Sequence, residues 1–269
     1  KNFKVILGVR HLISAVKVLE GEEIKRNTYG NDRNTIFTNV IRNCYPITEE
    51  DNITLLKNAH IEEKRLVEIA MLSPQWIDII AQVIQWDGFK EACYYFIAHM
   101  KDYDYDHKKA EIAKYTELDP IDLNDGAFDI TWCKEVYTTL GEKRFTMIYN
   151  AAKFLCDNAF HTRARKYADA VIGKVGKEEF IKQIEKSRNK DALNAYCAIP
   201  LKDDTDLLER YLYIQSFLKE SKKFGAQRQA SEARCAEIAF MNLASNSRFK
   251  TVTRLSWMME SKNIKPTYS

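Results

Sequence analysis

Apolar side chains recur at three- and four-residue spacing along nearly the whole chain, the signature of amphipathic helices, and strict alternation of useful length is absent. Local signals mark the ends of these helices. Thr48, followed by Glu49, Glu50 and Asp51, predicts a cap with an acidic first turn. Ser73-Pro74 predicts a helix opening through Trp76, Ile77, Ile80 and Val83, which Gly88 separates from FKEACYYFIAHM. Asp119-Pro120 is another boundary, and Asp129 is placed to cap a helix carrying Trp132, Cys133, Val136, Tyr137 and Leu140, closed by Gly141. The next helix is predicted to bury Phe145, Ile148, Ala152, Leu155 and Cys156. A shorter one places Ala164, Ala168, Val171, Ile172 and Val175 on one face and ends at Gly173 and Gly176. In DDTDLLERYLYIQSFLKES, acids lie near the amino end, and Leu207, Leu208, Tyr211, Leu212 and Leu218 are expected to face the core.

The stretch FGAQRQASEARCAEIAFMNLA, residues 224–244, is apolar around most of its circumference. Ala226, Ala230, Ala233 and Phe240 share one side, Cys235, Ala239 and Leu243 another, with Ile238 between. Such a helix is expected to be buried within a larger helical assembly. The whole pattern predicts an all-α fold of stacked antiparallel helices, an irregular HEAT-like array without a repeated signature. It is read as one helical domain over residues 1–269, with soft boundaries at 25–34 (KRNTYGNDRN) and 116–127 (TELDPIDLNDGA). The chain opens KNFKVILGVRHL without Met and enters an apolar period at once, so it is read as a fragment of a larger protein.

Composition narrows the class. Hydrophobic residues make up 45% and charged residues 29%, which is globular. No apolar run reaches the ~18–20 residues of a membrane span, and the charged opening segment is wrong for a signal peptide. The six cysteines form no CxxC pair and sit in apolar patterns, so they read as buried reduced thiols in a cytoplasmic protein. The net charge of +3 is uneven: residues 100–140 hold ten acids against five bases, residues 141–190 twelve bases against six acids. This reads as adjacent helices complementing one another, with a docking surface as the alternative.

Three places carry candidate chemistry. DYDYDH at 102–107 has calcium-loop acids at alternate positions, but His107 stands where Gly is needed and Ala113 where Glu is needed. His99 with Asp102, Asp104, Asp106 and His107 reads as a solvated acidic turn rather than a metal site. HTRARKYADA at 161–170 is the strongest basic cluster: Arg163, Lys166 and Lys174 share a helical face, while Arg165 is placed to pair with Asp169. That stripe is the candidate contact for nucleic acid or phosphate. The third place is the 224–244 helix, with Gln227, Arg228, Glu232 and Arg234, and Arg254 beyond it. Charges among small apolar residues are costly unless paired, so they mark an ion network or a ligand site. Arg228 before Glu232 is the weaker order for a local pair, which points to partners in DDTDLLER or in EKSRNKD at 185–191. No GxSxG, GxxxxGK[ST] or GxGxxG occurs, and no catalytic residue, metal ligand or cofactor is assigned.

The blocks WDGFKEACYYFIAHM, NDGAFDITWCKEVYTTLGEKRF, AAKFLCDNAFHTRARKYADAVIGKV, SRNKDALNAYCAIPL and KKFGAQRQASEARCAEIAFMNLA, followed by VTRLSWMME, resemble a MolR-like family over residues 74–262. That resemblance implies a large, mostly bacterial, cytosolic helical protein built around a domain of unknown function, with a WGR module in some members. No WGR pattern occurs in this chain, and no family residue roles carry over. The expectation is a scaffold or regulatory segment that contacts protein or other domains of the parent chain, without a membrane. A nucleic-acid-associated module using residues 141–190 is the alternative. An enzyme whose site is assembled around Arg228 and Glu232 is the second alternative.

Overall fold

A computed structural model describes residues 5–26, 29–101, 109–156, 158–249 and 251–263. It is all-α apart from a two-stranded parallel sheet, β1 (Ile6–Leu7) on β2 (Cys44–Tyr45). Between and after the strands come α1 (Val9–Val18), α2 (Arg33–Arg42), α3 (Asn52–Asn58), α4 (Glu63–Leu72), α5 (Ile77–Ile84) and α6 (Phe89–His99). They are followed by α7 (Lys109–Ile112), α8 (Pro120–Asp125), α9 (Ile130–Ala151), α10 (His161–Val171) and α11 (Lys177–Ser187). The last are α12 (Lys190–Tyr196), α13 (Asp204–Ser221), α14 (Ala226–Asn246) and α15 (Val252–Asn263). Strands of two residues hold no alternation that a sequence pattern could register. Among the described residues, no helix is long and apolar enough to cross a membrane. The chain forms two compact units, residues 1–97 with 135–162, and residues 98–134 with 163–269.

In the first unit, α1 packs on α2 and α3, and α4 on α5 and on a 3-10 turn at Ala152–Leu155. Leu12, Ile41, Ile69, Trp76, Phe89, Phe96 and Phe145 are fully buried there. Thr48 is not the predicted cap. Asp51 caps α3 through the Thr54 amide, at 3.1 Å, while Glu50 accepts from the Val9 amide, at 2.6 Å. The first amide of α1 follows Gly8 and has no side-chain cap of its own, so it recruits a carboxylate from 41 residues away. Ser73 holds the N-cap position with Pro74 in the first turn, as expected, but its hydroxyl donates to the Ile41 carbonyl, and Pro74–Trp76 form a 3-10 turn leading into α5. Gly141, at φ 73°, interrupts α9 where the sequence places a helix end. Leu155 and Cys156 are only half-buried, because the chain leaves the helix at Ala152.

The second unit is organised on α14, which packs against α8, α12, α13 and α15. Asp129 caps α9 as expected, accepting from the Trp132 amide at 2.9 Å. Its own amide donates to His99 Nε2 at 2.9 Å, and the Thr116 hydroxyl donates to its second oxygen. His99 is therefore engaged, fully buried, in holding a helix start. The DYDYDH segment lies outside the described residues.

Gly126 ends α8 at φ 116°, and its carbonyl accepts from Asn242 on α14. A Cβ there would lie 2.5 Å from Asn194 Nδ2 and 2.8 Å from the Tyr167 hydroxyl. Gly126→Ala is thus expected to cost about 2–3 kcal/mol, combining left-handed strain with overpacking. A urea midpoint equal to that of the unchanged protein would show that the turn tolerates a side chain.

The expectation that α14 is buried within the assembly holds for only part of the helix. Cys235, Ile238, Ala239 and Leu243 are in the core, and Phe240 is half-buried against Tyr211, at 5.1 Å between ring centroids. Ala226 and Ala230, however, are exposed. The four packed neighbours cover one side of this helix and leave its amino-terminal alanine side open. On α13 the core-facing set is Leu207, Tyr211, Ile214 and Phe217 with Asp206 and Arg210, while Leu208, Leu212 and Leu218 are half-buried. A charged pair occupies what apolar periodicity assigns to leucine.

Candidate functional site

The charges of the 224–244 helix meet a residue that the apolar pattern does not single out. Arg188 ends α11 with φ 50°, a left-handed conformation uncommon outside glycine and asparagine, and this turn throws its side chain toward α13 and α14. Its Nε donates to both oxygens of Glu232, at 3.0 Å each, and its Nη2 to Oε2 at 2.6 Å and to the Phe217 carbonyl at 2.7 Å. Nη1 pairs with Glu220 at 2.9 Å. The guanidinium lies over the Phe217 ring, 3.9 Å from its centroid. Arg228 completes the cluster, with Nε 2.9 Å from Glu232 Oε1 and its guanidinium 3.7 Å from the Phe224 centroid.

Glu232 is buried, with a side chain only 2% exposed. Burial pushes its carboxyl up, but hydrogen bonds from Arg188 and Arg228 outweigh that and hold it below the usual carboxylate range. Arg188 moves in the complementary direction, its charged form favoured by the hydrogen bonds it donates to Glu232. Both carboxylate oxygens are spent on cations, so Glu232 has no free acceptor with which to act as a base. The partner from another helix comes from the 185–191 segment, as expected. The local pair with Arg228 also forms despite its weaker order, because Arg228 is anchored on Phe224. A cavity of about 260 Å³ lies beside the cluster, lined by Arg188, Tyr213, Phe217, Glu220 and Phe224 among others.

The remaining candidates are dispersed. Gln227 is exposed at the start of α14. Arg234 ties α14 to α8 through Asp122 and Asp125, the latter at 2.8 Å, and also pairs with Glu237. Arg254 is exposed on α15. Arg163 is buried, its Nη1 donating to the carbonyls of Leu123 and Asn124 at 3.2 and 2.7 Å, and its Nε lies 3.2 Å from Asp191. It closes the carboxyl end of α8. Lys166 donates to Gln183 at 3.0 Å, and burial lowers its pKa. Lys174 sits 3.8 Å from Asp169, the acid assigned to Arg165 by spacing. The three bases of the predicted stripe thus reach three different partners.

A second buried network lies on α13. Arg210, 1% exposed, is held by Asp206 and by the carbonyls of Tyr196, Ile199 and Pro200, while Asp206 also pairs with Lys177 at 2.7 Å. The Asp206–Arg210 spacing of four is legible in DLLER, but its burial is not. None of the six cysteines is in a disulfide; five of them are buried and Cys156 is half-buried. Among the described residues, no group of three His, Cys, Asp or Glu side chains is placed to hold a metal ion.

No curated protein and no solved structure matches the chain. Nothing found links it to MolR or to a WGR module, so the narrower resemblance is not supported. The match that exists is broader than the expected one, since it takes in the first seventy residues, for which the blocks of resemblance gave no counterpart. Over residues 1–259 the sequence fits one family model, and the chain belongs to that family of unknown function (DUF5724).

Proposed function

We propose that this chain is a helical scaffold or regulatory segment of a multidomain, cytoplasmic bacterial protein, acting through contacts with another protein or with other domains of its parent chain. The MolR-like resemblance of residues 74–262 belongs to the same proposal. The observation that carries it is the closure of Glu232, a buried carboxylate whose two oxygens are both taken by Arg188 and Arg228. An enzyme using this carboxylate as a base would need one of its oxygens free. Six cysteines outside disulfides support the reducing compartment.

The proposal is tested by placing a photo-crosslinking residue at Trp257, 70% exposed on α15, in the parent protein in cells. The expected product is a discrete adduct with one protein or with another segment of the same chain. Nucleic-acid binding is measured in parallel, by anisotropy of a labelled duplex of about 20 base pairs at increasing salt. No saturable binding is expected, because Arg163 and Lys166 are already engaged. Binding that falls steeply with salt and is lost in Lys174→Glu would transfer the assignment to a nucleic-acid module.

A further inference from the structure

We propose that the groove between the last two turns of α13 and the first two turns of α14 is the docking site for an acidic amphipathic helix of a partner protein. This deepens the scaffold reading and rests on it. The groove encloses about 670 Å³ and is lined by Leu218 and Ser221 on one side and by Ala226, Ala230 and Ala233 on the other. Lys219 and Lys222, with Gln215 and Gln229, complete the lining.

Three features select the occupant. The alanines recur at four and three residues, so they form a shallow ridge along α14 with room beside it. Small side chains let a second helix approach to the ~8 Å end of the usual interaxial range. This is the face that hydrophobic periodicity marks as buried and that the fold leaves open.

Charge then sets the chemistry. Around these two helices the arginines are matched to carboxylates: Arg188 and Arg228 to Glu232, Arg210 to Asp206, Arg234 to Asp122 and Asp125. Lys219 and Lys222 are exposed and have no ion-pair partner among the described residues, and no acid lines the groove. A helix with apolar residues on one side and Glu or Asp along its flanks supplies what both surfaces lack.

Charge also argues against a second copy of this chain. Two identical grooves meeting about a two-fold axis would bring lysines against lysines. A nucleic acid would satisfy the lysines but leave the alanine and leucine surface uncovered.

The test uses a labelled helical peptide of about 18 residues with Glu on one face and Ala and Leu on the other. Its control carries Lys at every Glu position. Anisotropy against the full chain at ~0.1 M salt is expected to show saturable binding of the acidic peptide and at least about tenfold weaker binding of the control. Ala230→Arg should abolish binding, and Lys219→Glu with Lys222→Glu should reverse the preference between the peptides. All three positions are exposed, so circular dichroism should show an unchanged fold.

Equal binding of the two peptides, no binding of either, or undiminished binding to Ala230→Arg would each overturn the proposal. So would a dimer in sedimentation that Ala230→Arg dissolves, which would assign the groove to a second copy. Displacement of the acidic peptide by a short single-stranded oligonucleotide would overturn it in favour of nucleic acid. Crosslinking separates this failure from that of the scaffold reading. Adducts from Trp257 but none from Ala230 would remove the groove and leave the scaffold reading standing, whereas silence at both positions would remove both.

Discussion

Arg210→Ala is expected to remove about 3–5 kcal/mol of stability, the usual consequence of breaking one side of a buried ion pair. The guanidinium is 1% exposed and holds three carbonyls at the end of α12 and beyond it, as well as both oxygens of Asp206. Alanine would remove the side-chain donor from the Tyr196 and Pro200 carbonyls and leave Asp206 with only Lys177 and the Lys202 amide. A fall in Tm of roughly 6–20 °C follows, at the 2–4 °C per kcal/mol of a chain this size.

Acid provides an independent check on the same network. Burial pushes Asp206 up, but Arg210, Lys177 and the Lys202 amide bring its carboxyl down to about 2, from an ordinary 3.8. A carboxylate depressed in the folded state stabilises the fold above its unfolded pKa, and that contribution is lost as pH falls through the folded value. Nearly two units correspond to about 2 kcal/mol, present at pH 5 and lost between pH 4 and 2. In Asp206→Asn this part of the acid dependence should vanish. An Arg210→Ala chain with the same urea midpoint as the unchanged protein would show that the network contributes nothing.

Glu232→Ala is expected to have a similar effect, about 3–5 kcal/mol, because it leaves Arg188 as a largely buried cation facing a cavity. Glu232→Gln keeps the shape and one acceptor while losing the charge, and should fall between. The double substitution Arg188→Met with Glu232→Leu removes both charges and should recover most of the loss, since apolar replacement of a buried pair is often neutral. This series separates structure from ligand binding. If Glu232 serves an external ligand, Glu232→Ala should melt within about a degree of the unchanged protein.

How much of this was legible follows from the range of each interaction. Asp119, Asp129 and Asp203 each cap a helix by accepting from an amide two or three residues on. Gly141 and Gly173 stop helices through their own backbone angles. Such signals need no knowledge of the rest of the fold. The Thr48 assignment failed because Asp51, three residues on, caps that helix instead, and Ser73 holds its N-cap position without a side-chain cap because the distant Ile41 carbonyl takes its hydroxyl. The stripe of Arg163, Lys166 and Lys174 is a real feature of helical spacing, yet spacing cannot tell that Arg163 points inward to α8.

What the amino-acid order alone determined was therefore the all-α class, several helix boundaries and the burial of five of the six cysteines. Each depends on hydrogen bonds and periodicity within a few residues. The tertiary structure decided which charges meet and which apolar face stays open. Arg188 reaches Glu232 across 44 residues of chain, by way of a left-handed turn that no side-chain pattern announces. The open alanine face of α14 depends on where four other helices pack. Local chemistry sets the elements. The neighbours each element acquires are a property of the whole packed chain, and the candidate sites are made of those neighbours.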